Sequence, residues 1–295
     1  MPHRLVSFAI LLFWLVAAVA LFQRDILPDL VLGPPPDLRT VTQAREPDKI
    51  TRWSILIADP AGRQPYRPIG QVQSKSMKRV DGSAQWRSDA WFDGLELLGR
   101  NRPAGTDLTE GTGTVPEAEM VLVQSVVDVD AGGNLFHMRT SMRGLGETEE
   151  VLSIEGHLEG NEIEFQVNSP LPMLRGTRRV PYTARGIVED PLSPLDRIPN
   201  LRLGQRWESR MASPLTGAVN EVKSEVTGHE VISWNNDVVK TLVVVNRVPP
   251  ISYKTWVRPD DGLVLRQEVP YPLARLMLER TPQTTPVVLP QERPR

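Results

Sequence analysis

Residues 151–167 read VLSIEGHLEGNEIEFQV, and this stretch decides the fold class. Leu152, Ile154 and Leu158 recur on one arm, Ile163, Phe165 and Val167 on the other, with Gly160-Asn161 between them. Apolar residues at a spacing of two share one face of a strand, because successive side chains of a strand point to opposite faces. A Gly-Asn step joining two such runs supplies the left-handed backbone that a tight hairpin turn requires. The stretch is therefore predicted to be an antiparallel hairpin with one buried face.

The same grammar repeats outward in both directions. EMVLVQSVVDVD (119–130) and LFHMRTSM (135–142) flank an Ala131-Gly132-Gly133-Asn134 turn. HEVISWNNDVVKTLVVVNRV (229–248) turns at Asn235-Asn236, with Val239, Val243 and Val245 sharing a face on return. YKTWVRPDDGLVLRQEV (253–269) turns at Pro259-Asp260-Asp261-Gly262, between Trp256 and Leu263. Upstream, ITRWSILIA (50–58) puts Thr51, Trp53, Ile55 and Ile57 on one face, and Asp81-Gly82 separates a polar alternating run from a second one, Ser83 to Phe92. Repeated hairpins of this kind predict a mostly-β domain built on a strongly curved antiparallel sheet, a half-barrel, with short helices or loops closing its open side. Two stacked lobes are the alternative, because the crossing segment from Ser169 to Arg206 contains six prolines and either links two halves of a sheet or plugs the open face of a curved one. A short helix is expected within it near Leu192 to Ile198, and Gly99 to Glu119, without periodicity, is expected to be a long loop.

The chain begins differently. LVSFAILLFWLVAAVALF (5–22) is eighteen residues without a formal charge, close to what the hydrocarbon layer of a bilayer requires. His3, Arg4 and the amino terminus precede it, while Arg24 is offset by Asp25, so the positive-inside bias places the N-terminus in the cytoplasm. Ala18-Val19-Ala20 also fits a small-x-small cleavage pattern, so residues 1–24 read as an anchor or as a signal peptide, and both readings export the rest of the chain. The predicted organisation is an N-terminal transmembrane helix over 1–24, a Pro-rich spacer over 25–47, the β domain over 48–281 and a disordered tail over 282–295. This places the chain in the inner membrane as a single-pass protein whose C-terminal domain is extracytoplasmic, in the periplasm.

Composition narrows the chemistry. A net charge of −2 offers no electrostatic reason to expect nucleic acid as a partner. The absence of cysteine removes disulfides, thiolate metal sites and cysteine nucleophiles. No Gly-x-Ser-x-Gly elbow and no phosphate-cradling loop is present; GTGT at 111–114 lacks the Lys-Ser/Thr that would complete one. His137, His157 and His229 lie on or beside strands without a ligand-pair motif, so a metal site would need distant residues to converge, and no metal is assigned. Asp128 and Asp130 form only half of a calcium loop and are read as approach residues of a hairpin. Glu147, Glu149 and Glu150 fall in a Gly-rich turn as a solvated charged face. Arg175, Arg178 and Arg179, with Arg185, form a basic cluster suited to anionic head groups or a partner's carboxylates. No cofactor is expected.

Three segments carry a family resemblance: YRPIGQVQSKSMKRVDG (66–82), DPLSPLDRIPNLRLGQRWESRM (190–211) and YKTWVRPDDGLVLRQEVPYPLARLMLERT (253–281). The chain resembles exported bacterial β-rich half-barrel proteins of the LolA-like and DUF3108-like group, most of all membrane-anchored versions of planctomycete type. The matching points are Ile69-Gly70 before a strand, Leu203 to Trp207 leading into one, and the hairpin from Trp256 to Gln267. The resemblance implies a curved sheet around an apolar interior and, in some members, lipid or lipoprotein binding. A permanent anchor departs from the shuttling carriers. The expected function is a non-catalytic, membrane-tethered binding or accessory protein of the envelope, holding an acyl ligand or a protein partner. Arg175, Arg178, Arg179, Trp207 and Trp256 are the contact candidates, and an extracytoplasmic hydrolase with a dispersed site is the alternative.

Overall fold

The computed structural model describes residues 2–21, 49–58, 66–97, 120–131, 134–182, 195–213, 218–269 and 275–282. The predicted spacer, the loop over 99–119 and nearly all of the tail lie outside the described residues. Helix α1 (Pro2–Leu21) coincides with the apolar N-terminal run. Among the described residues, no helix is long and apolar enough to cross a membrane.

Beyond α1, the strands among the described residues form one sheet of fourteen. The first eight are β1 (Ile50–Ala58), β2 (Tyr66–Lys78), β3 (Ala84–Asp93), β4 (Met120–Val129), β5 (Leu135–Gly144), β6 (Leu152–Glu159), β7 (Glu162–Asn168) and β8 (Gly176–Pro181). The other six are β9 (Arg206–Ser213), β10 (Ala218–Trp234), β11 (Asp237–Val248), β12 (Ile251–Val257), β13 (Val264–Val269) and β14 (Leu276–Arg280). Their spatial order is β8-β7-β6-β5-β4-β3-β2-β1-β14-β13-β12-β11-β10-β9. The chain starts at the centre, meanders to one edge, crosses to the opposite edge and meanders back. Antiparallel pairing of β1 with β14 joins the two halves, Ile55 lying opposite Leu278. The two-lobe alternative is thereby replaced by a single curved, unclosed antiparallel sheet with few helices.

Turn chemistry sets the hairpins. Asn235 and Asn236 both have positive φ (53° and 64°), as a type I′ turn demands. At Asp81-Gly82 only Gly82 does (84°): Gly82 donates to the Arg79 carbonyl and Arg79 to the Ser83 carbonyl, a longer loop closed by one left-handed residue. Asp81 Oδ1 accepts the Ser83 amide at 2.9 Å, which pins that loop. One helical turn, α2 (Gly94–Leu97), follows β3, and Asp93 caps it by accepting the Leu95 and Glu96 amides at 3.0 and 3.2 Å.

The inner face carries the core. Trp53, Ile55, Val72, Ala90, Phe92, Val123, Val226, Val244, Val257 and Leu278 form its main cluster, and Trp86, Val127, Met138, Ile154, Ile163 and Phe165 form a second cluster toward the β8 edge. The crossing segment covers the centre of this face: Leu195 and Ile198 enter the main cluster. Residues 195–198 are not helical as the sequence suggested; Arg197 instead makes a strand-like bridge with Leu263, and backbone pairing takes the bonds a helix would have used. A buried cation clamps the segment. Arg280, 8% exposed, donates from Nη1 to Asp196 Oδ1 at 3.2 Å and stacks 5.2 Å from the Trp53 ring, while Thr51 donates to Asp196 Oδ2 at 3.3 Å. Burial lowers the Arg280 guanidinium from its ordinary pKa, and Asp196 opposes that fall. Gly262 is required at the contact. Its φ is 70°, and a Cβ there would lie 2.6 Å from the Ile198 carbonyl oxygen.

A bulge near Val226 to Gly228 bends the β10–β11 hairpin. Its tip therefore reaches the outer face of β12 to β14: Trp234 Nε1 donates to the Arg280 carbonyl at 2.8 Å, and Ile232, Val243, Trp256 and Leu265 form a third, smaller core there.

Candidate functional site

The five contact candidates divide into two groups. The arginines gather at the β8 edge. Arg175 follows a 3₁₀ turn (Pro172–Leu174) and donates from Nε and Nη2 to the Ser169 carbonyl at 3.2 and 2.9 Å. Arg178 stands opposite Phe165 and Arg179 opposite Glu164, so period two sends the two arginines to opposite faces of an exposed strand. Arg179 donates from Nε to Glu164 Oε2 at 2.6 Å, and that carboxylate holds the guanidinium above its ordinary pKa. The tryptophans are packed instead. Trp207 is 9% exposed within the main core, and Trp256, 7% exposed in the outer core, donates Nε1 to Glu230 Oε2 at 2.7 Å. Glu230 also accepts Lys254 Nζ at 2.8 Å, and these two donors hold its carboxyl below the usual range against the opposing effect of burial.

A groove of about 470 Å³ opens on the outer face beside the arginine edge, lined by Arg139, Glu150, Ser153, Glu155, Asn168 and Arg175 among others. Pairing places these residues together: Arg139 lies opposite Glu155, and Ser153 lies between Ser141 and Asn168. Arg139 Nη2 reaches Glu150 Oε1 at 3.2 Å, so the expected solvated face of the Gly-rich turn is one wall of this groove. Two guanidiniums facing two carboxylates, with serine and asparagine between, suit a polar or zwitterionic surface better than an apolar chain.

The inner face of the same strands is polar in another way. Thr51, Ser74, Ser88, Ser125 and Thr140 are consecutive cross-strand neighbours from β1 to β5, all buried. Thr140 Oγ1 donates to Ser125 Oγ at 3.1 Å. In the second half, Ser224 donates to Asn246 Oδ1 at 2.8 Å and Asn246 Nδ2 to Thr255 Oγ1 at 3.1 Å. Trp53 Nε1, Ser76 Oγ and Ser209 Oγ are buried and find no hydrogen-bond partner among the described residues. Apolar alternation does not reveal this band, although Ser74 and Ser76, two apart on β2, are its visible sign in the sequence.

The histidines are not scattered as their spacing suggested. His137 and His157 lie directly opposite each other on β5 and β6, whereas His229 stands on β10. Asp130 accepts the Asn134 amide at 2.8 Å and shapes its turn, as expected, but Asp128 faces His137. The signal for this was available: His137 and His157 are equidistant from Glu147, in the Gly-rich turn that the sequence placed between two strands.

No family model matches the chain, and no curated protein matches it. Among solved structures it is similar to a β-barrel-like protein of a domain of unknown function, DUF1849, from Brucella abortus. That likeness has a TM-score of 0.45 and 9% identity, over 79% of this chain and 94% of the other. A DUF1089 family protein from Pseudomonas aeruginosa gives 0.31 and 14%, over 66% and 87%. Neither of these is described as a LolA-like or DUF3108-like protein.

Proposed function

We propose that this is a non-catalytic accessory protein, tethered to the inner membrane through its apolar N-terminal sequence, whose extracytoplasmic sheet docks a protein partner of the envelope at the β8 edge. The observation that carries the reading is the edge itself. Gly176 to Arg179 and Pro181 are exposed, the adjoining turn exposes Leu171, Leu174 and Met173 (85%), and Arg175 continues this surface into the outer groove. A strand edge left without a partner among the described residues offers backbone donors and acceptors to an extended segment, and apolar residues beside it add burial. Pro181 and the two strand arginines oppose self-pairing of such an edge, while a partner bearing carboxylates gains from the same arginines. The tether reading rests on the sequence, where residues 5–22 are eighteen consecutive uncharged positions.

The test is a photocrosslinking amino acid placed at Thr177 in the full chain in its native cells, with Val231, an exposed site on β10, as the control position. A discrete adduct from Thr177 alone, weakened by Arg178→Glu, is the expected result. Adducts of equal yield from both positions overturn the proposal.

A second reading, in line with the LolA-like and DUF3108-like resemblance, is an acyl ligand on the inner face. The orphaned donors of Trp53, Ser76 and Ser209 favour it, since a ligand's polar end would relieve their desolvation. Native mass spectrometry of the purified chain, with solvent extraction, tests this reading; a stoichiometric lipid supports it, and its absence removes it.

A further inference from the structure

We propose that His137, Glu155 and His157 form a binding site for a borderline divalent metal ion, zinc being the best match, on the outer face of β5 and β6. Such a site is independent of docking at the β8 edge. His137 Nε2 lies 3.3 Å and His157 Nε2 3.4 Å from the same oxygen, Glu155 Oε1. Ligand atoms held 2.0–2.1 Å from a tetrahedral zinc are about 3.3 Å from one another, so both edges already have the separation such an ion imposes. One ligand atom from each of the three residues lies within 4.8 Å of the others, and the two rings are tilted by 32° with centroids 4.8 Å apart. Two imidazoles and a carboxylate are a donor set suited to zinc and its neighbours, unlike the all-oxygen shells preferred by calcium and magnesium.

The surroundings of His137 strengthen the assignment. Its Nδ1 lies 3.0 Å from Asp128 Oδ2, and Asp128, 6% exposed, is itself fixed by Arg79 Nη2 at 2.8 Å and Gln85 Nε2 at 2.9 Å. A buried carboxylate accepting Nδ1–H holds the tautomer whose Nε2 lone pair faces the ion, the outer-shell arrangement common to metal-binding histidines. With Asp128 at Nδ1, the Nε2 of His137 is left on the side of Glu155 Oε1, where an ion held by both would sit. His157 is 56% and Glu155 39% exposed, so the ion has an entry path, and three protein ligands leave one position open to water or to a group lying in the adjoining groove, which Glu155 also lines.

The test uses the full chain in detergent, stripped with chelator and freed of any affinity tag, titrated with Co²⁺ and followed by visible absorption. One Co²⁺ per chain, with the intense bands of a four-coordinate ion and displacement by Zn²⁺, is expected. Affinity should fall about 10- to 100-fold in Asp128→Asn, which keeps the shape but not the charge of the outer shell. It should be lost in His157→Ala and in Glu155→Gln, two changes at partly exposed positions that preserve the far-ultraviolet circular dichroism of the sheet. Absence of binding in the parent chain, or binding that survives both of those variants, overturns the proposal.

Discussion

The two halves of the sheet treat their outer faces in opposite ways. In the second half the bent β10–β11 hairpin folds its tip over β12 to β14, and Ile232, Val243, Trp256 and Leu265 bury one another there. In the first half, among the described residues, the outer face of β5 to β7 carries arginines, carboxylates and the His137–His157 pair, and it holds the groove. A strand whose two faces are both packed has little freedom to present chemistry, whereas one packed on a single face can vary the other without disturbing the core. The difference puts the packed outer core on β10–β13 and the proposed docking and metal sites on β5–β8.

The largest expected effect breaks the comparison most directly. Trp256→Ala removes a buried ring and leaves Glu230 without its indole donor, and should cost about 3–5 kcal/mol in urea unfolding. His157→Ala, at a 56% exposed position of the first half, should stay within about 0.5 kcal/mol. If the two variants unfold at the same denaturant concentration, the outer core of β10–β13 has no special standing.

A smaller effect probes the turn against which the crossing segment packs. Arg258 donates to both oxygens of Asp261, at 2.9 and 2.7 Å, and the Leu263 amide donates to Oδ1 at 3.1 Å, so the Asp261 carboxyl is lowered from 3.8 to about 2. A carboxyl depressed by folding stabilises only while ionised: its contribution is complete above the unfolded value of 3.8 and is lost as pH falls through about 2. Asp261→Asn should therefore cost about 1–2 kcal/mol at neutral pH and flatten the fall in stability over that acid window. Parallel pH curves for parent and variant would remove Asp261 as a lock on the crossing segment.

The smallest effect sharpens the contrast between the faces of the first half. Thr140→Val strands the buried Ser125 hydroxyl and should cost about 1 kcal/mol, while Ser125→Ala with Thr140→Val should recover most of that loss. Additive losses in the double variant would mean that the inner hydroxyl row is held by more than this pair.

What could be read from the sequence was local. Hairpins at Asn235-Asn236, Gly160-Asn161 and Gly262 were legible because a left-handed turn residue between alternating runs acts over a few neighbours. The helical N-terminal run was legible for the same reason. Register was half-legible: the turn around Glu147 places His137 opposite His157 once both strands are paired, but nothing local brings Asp128 in from β4 or anchors it with Arg79 and Gln85.

Alternation by two and turn residues determined, from sequence alone, that this is an antiparallel β protein and where most of its hairpins bend. Only the tertiary structure decided that β1 meets β14, that Asp196 crosses 84 residues of chain to clamp Arg280, and that two histidines and a glutamate share one oxygen's neighbourhood. The physical reason is loop closure. Contacts between distant segments are selected by the burial of the whole sheet, and no short stretch of the chain carries that information.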